Sequence, residues 1–350
     1  MGVDKRDGKK MRLILSIESS CDDSSIALTN IDTLELVEHL KISQEMEHSN
    51  FGGVVPELAS RLHALSLPKL LEKIKPYFKN IEAVAVTTHP GLSVSLHEGV
   101  IMAKAISAFL DKPIIGVNHL KGHIYSLFIQ KEQTLPLLVL LVSGGHTQLL
   151  EVKDYKTIKV LATTIDDSVG EAYDKVAKML NLGYPGGPII EKLAREGNRD
   201  RFNFPIPMQN SPLIAFSLSG LKNAVRLQIE ALGGVEAMSK EDISDICASF
   251  EKAVAKHLLQ KSKKVFKKNN YKHFAIVGGV SANWFIKDNF KKLCSEFNKQ
   301  MLEVDLKYTS DNAAMIGRWA IEAFRNGEFD TIDSLKVGFN KKLEPGSLLK

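Results

Sequence analysis

Short apolar blocks closed by polar or glycine-containing turns alternate along this chain with longer stretches in which apolar residues return every three or four positions. Residues 13–17 (LILSI) predict a buried strand that enters the polar turn ESSCDDSS, with 26–28 leading out and 34–42 forming a further strand. After Pro56, Leu58, Leu62, Leu65 and Leu71 recur at close to helical spacing, so 57–71 predicts a helix. Residues 83–87 read as a strand ended by the HPG turn, 100–110 as a second helix, and 114–117 as another buried strand.

The same order then returns. Residues 137–142 predict a strand that ends in SGGHTQ, 149–152 lead out, and 157–163 form a third strand. Each copy is followed by helical pattern, which predicts a duplicated α/β lobe with its polar turn facing a cleft between related halves. Ser168 and Glu171 have the spacing of a capping box for a helix running towards Gly183, and a short helix is expected to reach Gly197. Residues 201–219 are an ordered, Pro- and Phe-rich excursion. Residues 242–266 predict a long helix with its lysines outward, 274–277 a strand opening into GGVSAN, and 302–304 a last strand before a helix begun by SDNAAMIG.

Composition narrows the class. With 44% hydrophobic and 25% charged residues the chain can bury a core, which excludes disorder. A formal charge of +5 permits a polyanionic partner. Three cysteines far apart, Cys21, Cys247 and Cys294, form no zinc knuckle and no disulfide framework. The polar lead 1–10 has no apolar signal core and no run approaches a membrane span, so the expected setting is cytoplasmic, without membrane contact.

Candidate chemistry centres on 119–146. His119 and His123 are four apart after Asn118, a good N-cap, and on a helix both imidazoles would share one face within reach of one ion. The pair is not HExxH, so the glutamate that a zincin peptidase uses as general base is missing. Asp311 is a candidate third ligand, with helix N-capping as its commoner alternative use. Three loops suit phosphate or nucleotide: 18–24, 142–146 and 277–283; none is a Walker A or GxGxxG. Asp166 and Asp167 read as dipole compensation at a helix start, whereas Asp174 lies a turn inside and suits ligand contact. The lysines of 252–268 read as a solvated helix face, and Cys21 is a poor nucleophile because its acidic neighbours raise its pKa.

Taken together, IESSCDDSSIAL, FGGVVPELASRLH, PGLSVSL, NHLKGH, LLVSGGHTQL, IDDSVGEAYDKVAKMLNLGYPGGP, FSLSGLKNAV, VGGVSAN and SDNAAMIG closely resemble the bacterial tRNA threonylcarbamoyltransferase family, TsaD, formerly labelled O-sialoglycoprotein endopeptidase. The resemblance runs from about residue 13 to 347. It implies an α/β fold of the actin/Hsp70-like (ASKHA) kind with an interlobe nucleotide and metal cleft. The lobes would span 11–130 and 131–324, with about 325–350 returning to the first. It implies transfer of threonylcarbamoyl from threonylcarbamoyl-adenylate to N6 of the adenosine 3′ of the anticodon, in tRNAs reading codons that begin with A. The metal ligands implied are His119, His123 and Asp311, for Fe2+ or Zn2+. The substrate and nucleotide contacts implied are Leu141, Val142, Ser143, Gly144, Gly145, Asp174, Gly187 and Asn283. The partners implied are tRNA, the paralogue TsaB and the ATPase TsaE. His89, Glu98 and Lys121 depart from the family's usual residues.

Rival readings remain at this level. A kinase or ATPase of the same fold would need a carboxylate base, for which Asp22 or Asp23 would serve, but would leave the histidine pair surplus. A metallopeptidase lacks its glutamate. A scaffold like the paralogue would be expected to lack the histidines.

Overall fold

The computed structural model describes residues 11–338 and Leu343. The polar lead at 1–10 and residues 339–342 and 344–350 of the expected C-terminal return lie outside these residues, and Leu343 falls in the second unit, not in the first as expected. The chain forms two compact units: among the described residues, 11–134 with 310–338, and 135–309 with Leu343.

The first unit opens with β1 (Leu13–Glu18), β2 (Asp23–Asn30) and β3 (Leu36–Ser43), followed by α1 (Glu45–Ser49) and α2 (Pro56–Ile74). Then come β4 (Ile81–His89), α3 (Ser93–Leu110), β5 (Ile114–Asn118) and the short α4 (His119–Tyr125). The sheet order is β3-β2-β1-β4-β5; β1 pairs antiparallel with β2 and parallel with β4. β1 is buried along its whole length, which is why its sequence is apolar almost without alternation. Leu67, Leu70 and Ile74 of α2 and Val100, Ala103 and Ile106 of α3 pack on Leu15, Ile17 and Val84 of the sheet.

By length and composition α3, with 18 residues, is long and apolar enough to cross a membrane. Its buried stripe, Val100, Ala103 and Ile106, packs into the core of the first unit beside α2 and the sheet, as an amphipathic helix laid on a sheet does.

The second unit repeats the plan with β6 (Leu137–Val142), β7 (Thr147–Val152) and β8 (Ile158–Thr163). Helices α5 (Val169–Met179), α6 (Gly186–Ala194), α7 (Ser219–Ala231) and α8 (Lys240–Lys268) follow, then β9 (His273–Val277), α9 (Trp284–Glu296) and β10 (Gln300–Leu302). Read from β8, the order β8-β7-β6-β9-β10 is that of the first sheet, with the same antiparallel and parallel pairings. The duplication read from 13–42 and 137–163 is therefore a duplication of topology.

Helix α10 (Ala313–Arg325) belongs to the first unit, so the chain returns at Ser310 and not near 325 as expected. The reason is packing: Arg325 donates to the Ile31 carbonyl at 2.9 Å, and a Cβ on Gly317 would meet Ser16 Oγ at 2.8 Å and Thr29 Oγ1 at 2.9 Å.

Three local readings need correction. The Ser168 hydroxyl accepts the Glu171 amide at 3.1 Å, but the Glu171 carboxylate pairs with Lys175 at 2.7 Å, so only half of the capping box forms. Asp166 serves α7, not α5, accepting from Leu218 N at 2.8 Å and from the Ser217 and Ser219 hydroxyls. The lysines of α8 do not all face solvent. Lys261 is fully buried and donates to the carbonyls of Met208 at 3.0 Å and Leu213 at 3.1 Å, because the 201–219 excursion wraps over the helix.

Candidate metal and nucleotide site

In the first unit, β5 ends at Asn118, whose Oδ1 accepts the amides of Leu120 at 2.8 Å and Lys121 at 3.2 Å and so starts α4. One helical turn then sets His119 and His123 side by side, ring centroids 4.6 Å apart and edge-on. Asp311 arrives from the start of α10. Its Oδ1 lies 3.4 Å from His119 Nε2 and 3.2 Å from His123 Nε2, and one ligand atom of each residue falls within 4.8 Å of the others.

Asp311 does not cap α10. Asn312 does, accepting the Met315 amide at 2.9 Å, so the alternative use of Asp311 is taken by its neighbour.

Glu18, which ends β1 and opens the 18–24 loop, stands against His119, a pairing that the sequence does not announce. It is fully buried, and its Oε2 lies 3.0 Å from His119 Nδ1, with Ser20 Oγ 3.1 Å from the same nitrogen. Its other contacts are the Ser20 amide, donating to Oε1 at 2.6 Å, and the Thr87 hydroxyl, donating to Oε2 at 2.5 Å. The available signal was a charge closing an otherwise apolar strand; reading 18–24 as one polar turn hid it.

The charges interlock. Burial would raise the pKa of Asp311, but His119 and then His123 hold it well below the usual carboxylate range. Burial opposes a charged His119, yet Asp311 and Glu18 raise its pKa well above the usual histidine value. Burial also opposes an ionised Glu18, and the charge of His119 nevertheless keeps its pKa low. Buried His123 has no hydrogen-bond partner at Nδ1 among the described residues. Two imidazoles and a carboxylate, converging with buried nitrogen capacity to spare, fit a divalent ion.

Nearby groups lack such a role. Burial, then Asp22 and Asp311, push the Cys21 thiol well above its ordinary pKa, as expected of a poor nucleophile. Asp23 pairs with Lys41 at 2.6 Å, and burial pushes its pKa up to about 6. The Lys121 ammonium sits 5.0 Å from the centroid of the Trp319 ring, Glu98 accepts the Ser60 hydroxyl at 2.9 Å, and His89 Nδ1 lies 2.8 Å from Thr88 Oγ1.

In the second unit, Leu141 and Val142 end β6, and the turn Ser143–Gly144–Gly145–His146 closes with the Ser143 amide donating to the His146 carbonyl at 2.9 Å. A Cβ on Gly144 or Gly145 would meet nothing within 4 Å, so the outer side of the turn is open to a ligand. Its inner side is tightly backed. A Cβ on Gly170 would stand 2.7 Å from both Gly144 Cα and the Ser143 carbonyl oxygen. Gly278, at φ +88°, leaves only 2.5 Å between such an atom and the Val142 carbonyl oxygen.

Asp174 accepts the Gly186 amide at 2.8 Å and so fixes the start of α6; Gly187 beside it is open. Asn283 caps α9 through the Ile286 amide at 2.8 Å and donates to Glu251 at 2.7 Å, which occupies its carbonyl and one amide hydrogen. The structure thus places 141–145, Asp174, Gly187 and Asn283 in the second unit and the His–His–Asp group in the first.

Solved structures share this architecture. HypF from T. kodakarensis matches with TM-score 0.61 and 15% identity over 93% of this chain, which spans about half (49%) of that protein. Component A of (R)-2-hydroxyglutaryl-CoA dehydratase from Acidaminococcus fermentans matches with TM-score 0.53 and 12% identity, covering 89% of this chain and 98% of that one. The repeated sheet order and these likenesses define an α/β protein of the actin/Hsp70-like (ASKHA) class, here carrying a His–His–Asp group suited to a metal.

Within that class the family is specific. The family model described as TsaD, tRNA N6-adenosine threonylcarbamoyltransferase, matches residues 35–318. A protein of that name from Sulfurovum sp. (strain NBC37-1) is 59% identical over 337 residues, covering 96% of this chain and all (100%) of its own. Another, from Sulfurimonas denitrificans, is 60% identical over 325 residues, covering 93% and 98%. The chain belongs to the TsaD family.

Proposed function

We propose that the chain transfers a threonylcarbamoyl group from threonylcarbamoyl-adenylate to N6 of the adenosine 3′ of the anticodon, in tRNAs reading codons that begin with A. The observation that carries this reading is the convergence of His119, His123 and Asp311 in a chain 59% identical to proteins named for that activity. In the reaction the N6 amine attacks the carbamoyl carbon, a new N–C bond forms, the C–O bond to the phosphate breaks, AMP departs, and one proton leaves the amine.

His119, His123 and Asp311 would hold the divalent ion, Fe2+ or, alternatively, Zn2+. When bound, the ion supplies Lewis-acid polarisation of the carbamoyl end of the substrate without redox work. The turn formed by Leu141, Val142, Ser143, Gly144 and Gly145 would take the adenylate phosphate, its open glycines letting the backbone approach closely. Asp174, Gly187 and Asn283 would contact the nucleoside. The N6 amine is a nucleophile that needs positioning more than a strong base.

The partners in this reading are tRNA, the TsaB paralogue and the TsaE ATPase, and the setting is the cytoplasm. The net charge of +5 supports a polyanionic substrate. The test is mass spectrometry of nucleosides from tRNA incubated with the protein, the two partners and threonylcarbamoyl-adenylate. Threonylcarbamoyl-adenosine should appear at the position beside the anticodon; its absence, or nucleotide hydrolysis alone, would overturn the reading.

A further inference from the structure

We propose that Glu18 is a positioning residue that holds the His119 imidazole as its Nδ1–H tautomer, so that Nε2 is presented to the metal. The inference rests on the reading of His119, His123 and Asp311 as the metal group.

The arrangement is asymmetric in a way that a plain core ion pair does not require. His119 has its two nitrogens divided between two carboxylates, Nδ1 at 3.0 Å from Glu18 Oε2, with the Ser20 hydroxyl beside it at 3.1 Å, and Nε2 at 3.4 Å from Asp311 Oδ1. His123 meets Asp311 at 3.2 Å through Nε2, and its Nδ1 has no hydrogen-bond partner among the described residues. One ring is preset and the other is not. An imidazole whose second nitrogen donates to a carboxylate is fixed in orientation and tautomer, and it is a stronger ligand.

Glu18 cannot turn to another use. Its Oε1 accepts the Ser20 amide at 2.6 Å, and its Oε2 accepts the Thr87 hydroxyl at 2.5 Å from the neighbouring strand β4. Burying an ionised carboxylate completely is costly, and here both of its oxygens are held by fixed donors while one of them is aimed at a ligand ring.

The same geometry shows what the near-isosteric Glu18→Gln change would do. The Ser20 amide can only donate, so the new side-chain carbonyl must face Ser20 and the new NH2 must face His119. Nδ1 then loses its carboxylate acceptor. Against the new NH2 it accepts, which moves the ring hydrogen to Nε2 and blocks the ligand position. Among the described residues, the one remaining acceptor for an Nδ1–H is the uncharged Ser20 hydroxyl at 3.1 Å, a weaker anchor than the carboxylate.

The experiment is a chelator-competition measurement of Zn2+ affinity on the whole chain, with circular dichroism on the metal-free proteins. We expect the Glu18→Gln variant to lose metal affinity by about 10–100-fold or more. Wild-type affinity in Glu18→Gln, while His119→Ala and His123→Ala lose the metal, would overturn the positioning role alone. Undiminished binding in His119→Ala and His123→Ala would overturn the metal reading on which it depends. Should Glu18→Gln fail to fold, nitrogen-15 imidazole spectra of the Zn2+-loaded wild-type protein decide. A hydrogen on His119 Nδ1 supports the proposal, and a metal bound at Nδ1 sinks it.

Discussion

Asn312 caps helix α10 by accepting the Met315 amide at 2.9 Å, and this leaves its neighbour Asp311 to face the histidines, 3.2 Å from His123 Nε2. Two adjacent polar residues thus divide a structural duty and a chemical one. Asn312→Ala should cost about 1 kcal/mol of stability, the usual value of a lost N-cap, and keep the metal. Asp311→Ala should keep the fold, lose the metal and abolish transfer. Metal content by elemental analysis and unfolding midpoints separate the two; an Asp311→Ala protein that transfers at the normal rate would remove the metal from the reaction.

The glycine turn of the second unit stands on Gly170. An added Cβ would lie 2.7 Å from backbone atoms of both Ser143 and Gly144, and backbone has little room to yield. Gly170→Ala should therefore destabilise the chain by about 1–3 kcal/mol and weaken adenine-nucleotide binding at least about tenfold by displacing the turn. Gly220→Ala is the control, since a Cβ there meets nothing within 4 Å and alanine favours the helix. Nucleotide titration curves that coincide for wild type and Gly170→Ala would show that the turn is not a phosphate site.

Much of this was legible from spacing. Strand β6, the duplicated order, the Asn118 cap and the four-residue histidine spacing follow from local rules that tertiary context left intact. What escaped was set by contacts distant in sequence. Glu18 reads as the first letter of a polar turn, and its partner His119 is 101 residues away. Lys261 reads as one more surface lysine until a loop, 48 residues upstream at Leu213, supplies it with a carbonyl. Asp166 sits beside one helix and serves the start of another, accepting the Leu218 amide 52 residues on. The return of the chain at Ser310, and not near 325, was decided by Gly317 fitting against Ser16 and Thr29, a matter of shape that periodicity does not encode.

If tRNA is the acceptor, its contacts should be largely electrostatic, because the chain carries a formal charge of +5 and the partner is a polyanion. Apparent tRNA affinity should then fall steeply and linearly on a log–log plot against salt, through loss of counterion release. Binding of the small adenylate should change far less over the same range. Parallel titrations from about 50 to 200 mM salt would test this. Equal slopes for the two ligands would argue against a tRNA-binding surface.

The last prediction concerns pH and His257 on α8. Burial, then Lys261, lowers its pKa to about 4, and its Nε2 accepts the Ser217 amide at 3.2 Å, a bond that only the neutral ring can make. The unfolded chain would hold this histidine near its ordinary pKa of about 6.5, so on acidification the unfolded state takes up the proton first. Stability from this group is therefore fully present above about pH 6.5 and is lost as pH falls towards about 4, by up to about 3 kcal/mol. His257→Gln keeps an acceptor for Ser217 and removes the titration. In urea unfolding, the stability of wild type relative to His257→Gln should fall by about 1.6 kcal/mol between pH 6.5 and about pH 5. A gap that stays constant over that window would mean that His257 does not titrate as a buried neutral group.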